Sequence, residues 1–240
     1  MVLYATLGAC ALGASLLVYR YDMYDREPAW ALLLSFASGA LAMAALGPIE
    51  AATHDAWREP ASAARLAAVA ALEEELAKLL VVVAIAVLAP RRFNDPMDGI
   101  VYGSVAGLGT AFEESVASLR DYPSGLTLLP GAEVVRLCGH LVMGGIGGFG
   151  VGLARAGTRL WKLVLPLSWC AALALHFLWD WIALWQPPPD LRPWQATGAA
   201  ALMLAGLGLY GYLVHEGSAR SRRVFARDSR ATLWGWPFRR

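Results

Sequence analysis

An acidic cluster interrupts an apolar segment in the first half of the chain. The motif LEEELAK covers 72–78, and Ala, Leu, Val and Ile otherwise dominate from Leu66 to Leu88. If a membrane began after Lys78, segment 79–89 would measure about 16 Å as a helix, against a hydrocarbon core of roughly 30 Å. The charged residues therefore lie within the membrane thickness, or the segment is re-entrant. Burying a charge at a helix centre costs about 2.5–3.5 kcal/mol, so these residues indicate a functional site.

Three further apolar segments carry rare polar residues at a similar depth. At about 1.5 Å per residue from the predicted cytoplasmic helix ends, the depths are about 19–24 Å for Glu75, Glu114, His140 and His176. Asp180 lies one turn beyond His176. Glu74 lies about 21 Å deep by the same count. We therefore predict that four helices contribute side chains to one polar cavity.

The spacing within each segment pairs a candidate reactive residue with a neighbour. Residues four apart share a helix face, and the pairs at that spacing are Glu74 with Lys78, Arg136 with His140, and His176 with Asp180. Consecutive glutamates, in contrast, fan out by about 100° per residue. Glu73 is therefore predicted to lie apart from the site, near the external interface.

These residue types favour activation of water over covalent catalysis. A glutamate beside a histidine can take a proton from a trapped water, and a second histidine can donate to a developing oxyanion. The same set is also an acceptable zinc shell, formed by His140, His176 and Glu75 with an open position for water. An HExxH motif is lacking, so spacing leaves the metal-free and zinc-assisted interpretations open.

The elements that must position these residues are transmembrane helices. The chain has 240 residues, of which 58% are hydrophobic and 16% charged. We predict an all-α, polytopic integral membrane protein with about seven transmembrane helices at 2–19, 29–47, 66–88, 98–117, 134–154, 163–184 and 194–214. Residues 1–215 are predicted to form a single membrane domain with its core motifs in 65–185, followed by a basic tail, 216–240.

The distribution of basic residues predicts the orientation and a lipid contact. Of the 20 Lys and Arg residues, 14 follow predicted helices one, three, five and seven, and five lie in the other connections. The N-terminus is therefore expected outside and the C-terminus in the cytoplasm. The tail interleaves arginines with Trp234, Trp236 and Phe238. This pattern fits either an anionic lipid surface or a solvated stop-transfer tail, and nucleic acid is not expected as a partner.

Small residues recur every four positions on two of the predicted helices. The first stripe comprises Gly99, Gly103, Gly107, Ala111 and Ser115, and the second, on the face of His140, comprises Gly144, Gly148 and Gly152. Small residues at this period allow two helix backbones to approach closely. We therefore predict close packing between these helices.

Four ordered motifs resemble those of PrsW-type intramembrane proteases, within the wider group of CAAX-protease and bacteriocin-processing membrane enzymes. They are EELAK at 74–78, DGIVYGSVAGLGTAFEES at 98–115, RLCGH at 136–140 and HFLWD at 176–180. The family patterns are similar to EExxK, DGxxYGxxxGxGFAxxEN, an Arg and His on the next helix, and HxxWN. Three positions differ: Thr110 replaces Phe, and Ser115 and Asp180 each replace Asn.

The resemblance implies hydrolysis of a peptide bond at a membrane-embedded site, in a bacterial cytoplasmic (inner) membrane. We expect Glu74 or Glu75 to act as base, His140 to hold the water or metal, and His176 with Asp180 to polarise the scissile carbonyl. Supporting roles fall to Lys78, Glu114 and Arg136. The expected partners are a membrane-protein or peptide substrate, such as an anti-sigma factor cut on its extracytoplasmic side, and the lipid bilayer. A proton- or ion-coupled carrier and a non-catalytic, substrate-binding relative are the alternatives.

Overall fold

The computed structural model describes residues 1–21, 26–56, 63–122, 126 and 128–232. Its regular structure is entirely helical, which confirms the all-α prediction. The helices are α1 (Val2–Tyr21), α2 (Ala29–Ala56), α3 (Ala63–Leu88), α4 (Pro96–Ser118), α5 (Gly131–Arg155), α6 (Trp161–Leu184) and α7 (Arg192–Thr232), with a short 3-10 helix at Pro189–Leu191.

Five of these helices, α1, α2, α5, α6 and α7, are long and apolar enough to cross a membrane. The other two, α3 and α4, have 26 and 23 residues, enough for about 35–39 Å of helix. Charged residues in α3, and glycines with two adjacent glutamates in α4, lower their hydropathy. Length and composition alone therefore support five membrane-spanning helices. The prediction of seven spans and of the orientation of the termini remains a prediction.

Helix α4 occupies the centre of the bundle and packs most closely on α5. Its residues from Pro96 to Ala111 are all buried. A Cβ atom at Gly103 would overlap the carbonyl oxygen of Gly144, and one at Gly107 would overlap that of His140. The predicted glycine contact between the two helices is therefore present, and it places the His140 backbone directly against α4.

The first turn of α4 is fixed by a reciprocal cap. The Asp95 carboxylate accepts from the backbone N–H groups of Met97 (2.5 Å) and Asp98 (3.3 Å), and Asp98 Oδ2 accepts from the Asp95 N–H (2.8 Å). Such a box satisfies donors that the helix leaves unpaired. Ser221 of α7 also donates to Asp95 Oδ1 (2.9 Å), which connects α7 to the start of α4.

This contact explains why α7 is longer than predicted. The sequence placed its end near residue 214 and assigned 216–240 to a tail, but the helix has 41 residues and ends at Thr232. Arginine and alanine after residue 218 favour helix, and Ser221 is buried against α4. The tail aromatics Trp234, Trp236 and Phe238 lie outside the described residues.

Candidate active site

Glu75 and Lys78 of α3 form a buried ion pair that also holds His176 of α6. The Lys78 Nζ lies 2.6 Å from Glu75 Oε1, and His176 Nδ1 lies 2.8 Å from the same oxygen. All three side chains are buried. When Nδ1 donates to Glu75, the Nε2 atom of His176 is the nitrogen left to face the remaining groups. Glu75 therefore orients the histidine and is itself neutralised by Lys78.

Glu74 faces two imidazoles without a direct hydrogen bond. Its Oε2 atom lies 3.6 Å from His140 Nδ1 and 3.8 Å from His176 Nε2, and the ammonium of Lys78 is also 3.8 Å away. Within the described part of the chain, both Glu74 Oε2 and His140 Nδ1 are buried and lack a hydrogen-bond partner. Buried polar atoms without partners are costly, so their convergence indicates a place for water or an ion.

A second ion-pair network holds His140 from the other side. Its Nε2 atom lies 3.3 Å from Glu114 Oε2 of α4, and Arg136 Nε binds the other oxygen of Glu114 at 3.0 Å. Arg136 also pairs with Glu133 of α5. Glu114 and Arg136 thus link His140 to a fully buried carboxylate in the first turn of α5.

Glu133 is a buried residue of this network that sequence analysis missed. Its Oε1 atom accepts from Ser118 Oγ (3.2 Å) and from the Tyr122 hydroxyl (3.3 Å). Partial desolvation raises the pKa of Tyr122, and the Glu133 charge adds to this, so the phenol keeps its proton and remains a donor. A sequence signal was available, since Glu133 precedes Arg136 by three residues, a spacing at which helical side chains pair.

The cluster is open at one end of the helical bundle. Side-chain exposure is 30% for Glu114, 25% for Arg136 and 24% for Asp180, whereas Glu75 and His176 are 2% exposed. The three partly exposed groups lie near the end of α4, the start of α5 and the end of α6. These helix termini share the end of the bundle that the basic-residue distribution predicts to be external. Asp180 Oδ2 lies 3.4 Å from His176 Nε2 at this opening.

The structure changes one ligand of the predicted zinc shell, because Glu74 takes the place of Glu75. Glu74, His140 and His176 each offer an atom within 4.8 Å of the others, and all three are buried. The sequence assigned Glu75 to this shell, but Glu75 accepts from Lys78 and from His176 Nδ1. Glu74 Oε2 and His140 Nδ1, which lack partners, fit a cation better, and imidazole and carboxylate are ligands that zinc accepts. Glu73 takes no part in these ion pairs within the described residues.

The structure therefore brings every predicted site residue into one connected cluster. Helices α3, α4, α5 and α6 each contribute, as the depth count required, and the two histidine rings meet edge to face with centroids 5.1 Å apart. Fold and site together define a polytopic helical membrane protein with a buried carboxylate–imidazole centre.

Comparison with known proteins identifies the family to which this chain belongs. The model for the PrsW family of intramembrane metalloproteases matches residues 27–207, which include all four motifs. Protease PrsW of Geobacillus kaustophilus (strain HTA426) is 31% identical over 178 residues, which cover 72% of this chain and 77% of that protein. The chain belongs to the PrsW family, and the resemblance seen in its motifs is confirmed. No solved structure matches it significantly.

Proposed function

We propose that this chain is an intramembrane endopeptidase that uses water to hydrolyse a peptide bond of a membrane-protein substrate. The convergence of Glu74 Oε2, His140 Nδ1 and His176 Nε2 in a buried site supports this assignment most strongly. Family membership supports the same activity. The protein would act in a bacterial cytoplasmic (inner) membrane.

Glu74 is the proposed base. Its Oε2 atom and His140 Nδ1 are 3.6 Å apart, too far for a direct hydrogen bond, and a water lying beside the two atoms can bond to both. Glu74 takes a proton from this water as the oxygen attacks the scissile carbonyl carbon. The proton then passes to the leaving amine as the carbon–nitrogen bond breaks.

His176 and Asp180 are proposed to stabilise the oxyanion that forms. Protonated His176 donates through Nδ1 to Glu75 and presents Nε2–H toward Asp180 and the reacting carbonyl. An ionised Asp180 would repel the oxyanion, so its pairing with His176 limits that cost. In relatives with Asn at the position of Asp180, the side-chain amide would stabilise the oxyanion by donating a hydrogen bond to it.

The same residues fit a zinc ion. Glu74, His140 and His176 would hold it, and Glu75 would orient His176 through Nδ1, as carboxylates commonly do for zinc-binding histidines. Bound zinc supplies Lewis-acid polarisation of a carbonyl and lowers the pKa of bound water. The ion pairs of the cluster involve two fixed cations, Lys78 and Arg136, and five carboxylates, namely those of Glu74, Glu75, Glu114, Glu133 and Asp180. The carboxylate of Glu50 in α2 lies near enough to interact with Glu114 and Asp180 as well. This excess of negative charge favours protons or a divalent cation.

The proposed substrate is a single-span membrane protein cut near the predicted external surface. The cluster opens where Glu114, Arg136 and Asp180 are partly exposed. A substrate chain can reach this opening from the extracytoplasmic side, which would suit trimming of an anti-sigma factor before further processing.

Cleavage in proteoliposomes tests the function. Single-span proteins, including an anti-sigma factor, carry a different fluorophore at each end, and proton flux is followed in the same vesicles. We expect wild type to separate the two labels, and His176→Ala to lose this activity by at least 100-fold while folding normally by gel filtration. Proton flux that depends on His176 without cleavage would instead support a carrier, and binding without cleavage would support a non-catalytic relative.

A further inference from the structure

A small cavity lies beside the ion pair of Glu75 and Lys78, on its predicted cytoplasmic side. It is bounded by α3, α5 and α6, and its walls also include Gly147 of α5 and Trp169 of α6. Trp169 precedes His176 by seven residues, so the two side chains lie on the same face of α6, two turns apart. A space of about 10 Å³ is open there to the centre of a water molecule, so the cavity has room for one water.

Lys78 lines this cavity and has hydrogen-bonding capacity to spare. Its ammonium group carries three N–H donors, is 2% exposed, and donates to Glu75 Oε1 at 2.6 Å. Its other acidic neighbour, Glu74 Oε2, lies at 3.8 Å, which is beyond hydrogen-bond distance. Because buried N–H groups without an acceptor are costly, the ammonium needs a further acceptor close by.

Two other residues of the cavity wall can bind the same water. Trp169 Nε1 is a buried N–H donor that has no hydrogen-bond partner among the residues the structure describes. The hydrogen bonds from Lys78 and His176 to Glu75 both end on Oε1, so Oε2 can accept another. A water that accepts from Lys78 and Trp169 and donates to Glu75 makes three hydrogen bonds, as buried waters commonly do.

The glycine in the cavity wall is not explained by helix packing. Gly144 and Gly148 approach the backbone of α4, and a Cβ atom at either would overlap a carbonyl oxygen there. A Cβ atom at Gly147, in contrast, would have the Ala172 Cβ as its nearest neighbour, at an ordinary contact distance of 3.8 Å. Alanine also favours a helix over glycine by about 1 kcal/mol. The missing side chain at Gly147 therefore keeps open the space beside Lys78.

We propose that this cavity holds one structural water, bound by Lys78, Trp169 and Glu75. The water fixes both members of the ion pair, and Glu75 in turn orients His176 through Nδ1 at 2.8 Å. Trp169 is thus a positioning residue, which acts on His176 through the water and Glu75 and does not touch the substrate. The water site is independent of the proposed function, whereas the effect of Trp169 on cleavage rests on that function.

Magic-angle-spinning NMR of the full-length protein in lipid bilayers tests the site, with water itself as the probe. Tryptophan indoles and lysine ammonium groups carry ¹⁵N, and the Trp169 signal is the one that Trp169→Phe removes. We expect magnetisation transfer from water to the Trp169 N–H and to the Lys78 ammonium. Gly147→Ala, whose methyl group takes the place of the water, should reduce both transfers at least about tenfold.

Gly206→Ala is the matched control for this variant. Gly206 is also buried, an added Cβ atom would meet only side-chain atoms at 3.5 Å or more, and the residue does not line the cavity. Both transfers should persist in Gly206→Ala. Lack of transfer from water to Trp169 in folded wild type would overturn the water site, and so would equal transfer in wild type and Gly147→Ala.

The cleavage rate tests the positioning role of Trp169. In the proteoliposome assay we expect Trp169→Phe to lower kcat about fivefold, which corresponds to about 1 kcal/mol, with less than about a twofold change in KM. Trp161→Phe alters an exposed tryptophan of the same helix and should leave kcat unchanged. A fivefold loss in both variants, or in neither, would overturn the positioning role. If wild type cleaves no substrate, the proposed function fails, and the NMR transfer still decides the water site.

Discussion

Glu74 and Glu75 are neighbours in the chain, yet their surroundings assign them different tasks. Glu75 is bound by Lys78 and His176, so its charge is neutralised and its position fixed. Glu74 Oε2 faces His140 and His176 without a hydrogen bond. A reactive carboxylate must be accessible to water, and an orienting one must be held, so Glu74 suits catalysis and Glu75 suits support.

The buried Lys78 should be essential for stability because it compensates Glu75. We expect Lys78→Met to lower the free energy of unfolding by about 3–5 kcal/mol, since it leaves a buried carboxylate without its cation. The double variant Lys78→Met/Glu75→Gln should recover much of this loss. Denaturant titration of the purified protein measures both. If the double variant is less stable than Lys78→Met alone, the ion pair is not the source of the effect.

Glu133 should affect catalysis through Arg136 and Glu114, without touching the substrate. We expect Glu133→Gln to lower kcat about tenfold with less than a twofold change in KM, because His140 loses the network that orients it. The pH profile of kcat should shift in this variant. The matched control Glu113→Gln alters an acid adjacent to Glu114 that makes no ion pair in the described structure, and it should leave kcat unchanged. A similar loss in both variants would refute the positioning role.

At the scale of the elements, α4 positions the site because α2 and α5 approach its backbone. A Cβ atom at Gly39 of α2 would overlap the Ala106 carbonyl, and Gly103 and Gly107 have equally close contacts with α5. The contact at Gly107 lies at the His140 carbonyl itself. Close packing on α4 therefore sets the position of His140 relative to Glu114.

Enlarging a glycine in this contact should separate α4 from α5. We expect Gly103→Leu to destabilise the protein by at least about 3 kcal/mol and to abolish activity, because the side chain cannot avoid the Gly144 backbone. Gly13→Leu, on an open face of α1, should change stability by less than about 0.5 kcal/mol. Thermal unfolding monitored by circular dichroism compares them. A stable, active Gly103→Leu variant would contradict the close packing.

The sequence predicted these elements well where a physical pattern was strong. The apolar segments gave seven helices, and the four-residue glycine period gave the contact between α4 and α5, because both patterns are local. The sequence could not show which of Glu74 and Glu75 is the candidate base, since the answer depends on which carboxylate Lys78 and His176 bind. The extension of α7 was also missed, because the hydrogen bond from Ser221 to Asp95 joins residues that are far apart in the chain.

At the scale of the molecule, the polar cluster has one buried and one open end. The opening lies where α4 and α6 end and α5 begins, so access is determined by topology. Its excess of carboxylates over fixed cations is electrostatically unfavourable at neutral pH. Protons or a divalent cation can relieve this, and the two cases differ in their response to chelation.

If zinc occupies the cluster, the purified protein should contain about one equivalent, and a chelator should remove activity and lower the melting temperature. His140→Ala should reduce the zinc content at least tenfold, while Glu73→Gln should retain it, because Glu73 is not part of the ligand set. Elemental analysis measures the content. Full activity of metal-free protein would instead establish the mechanism in which Glu74 and the histidines act alone.

The central claim is that Glu74, placed between His140 and His176, drives peptide hydrolysis. The single-turnover cleavage rate of a single-span substrate in proteoliposomes, compared between Glu74→Gln and Glu73→Gln, tests it most directly. These variants make the same chemical change one residue apart. The structure predicts a loss of at least 1,000-fold for Glu74→Gln and less than twofold for Glu73→Gln. Equal rates in the two variants would contradict the claim.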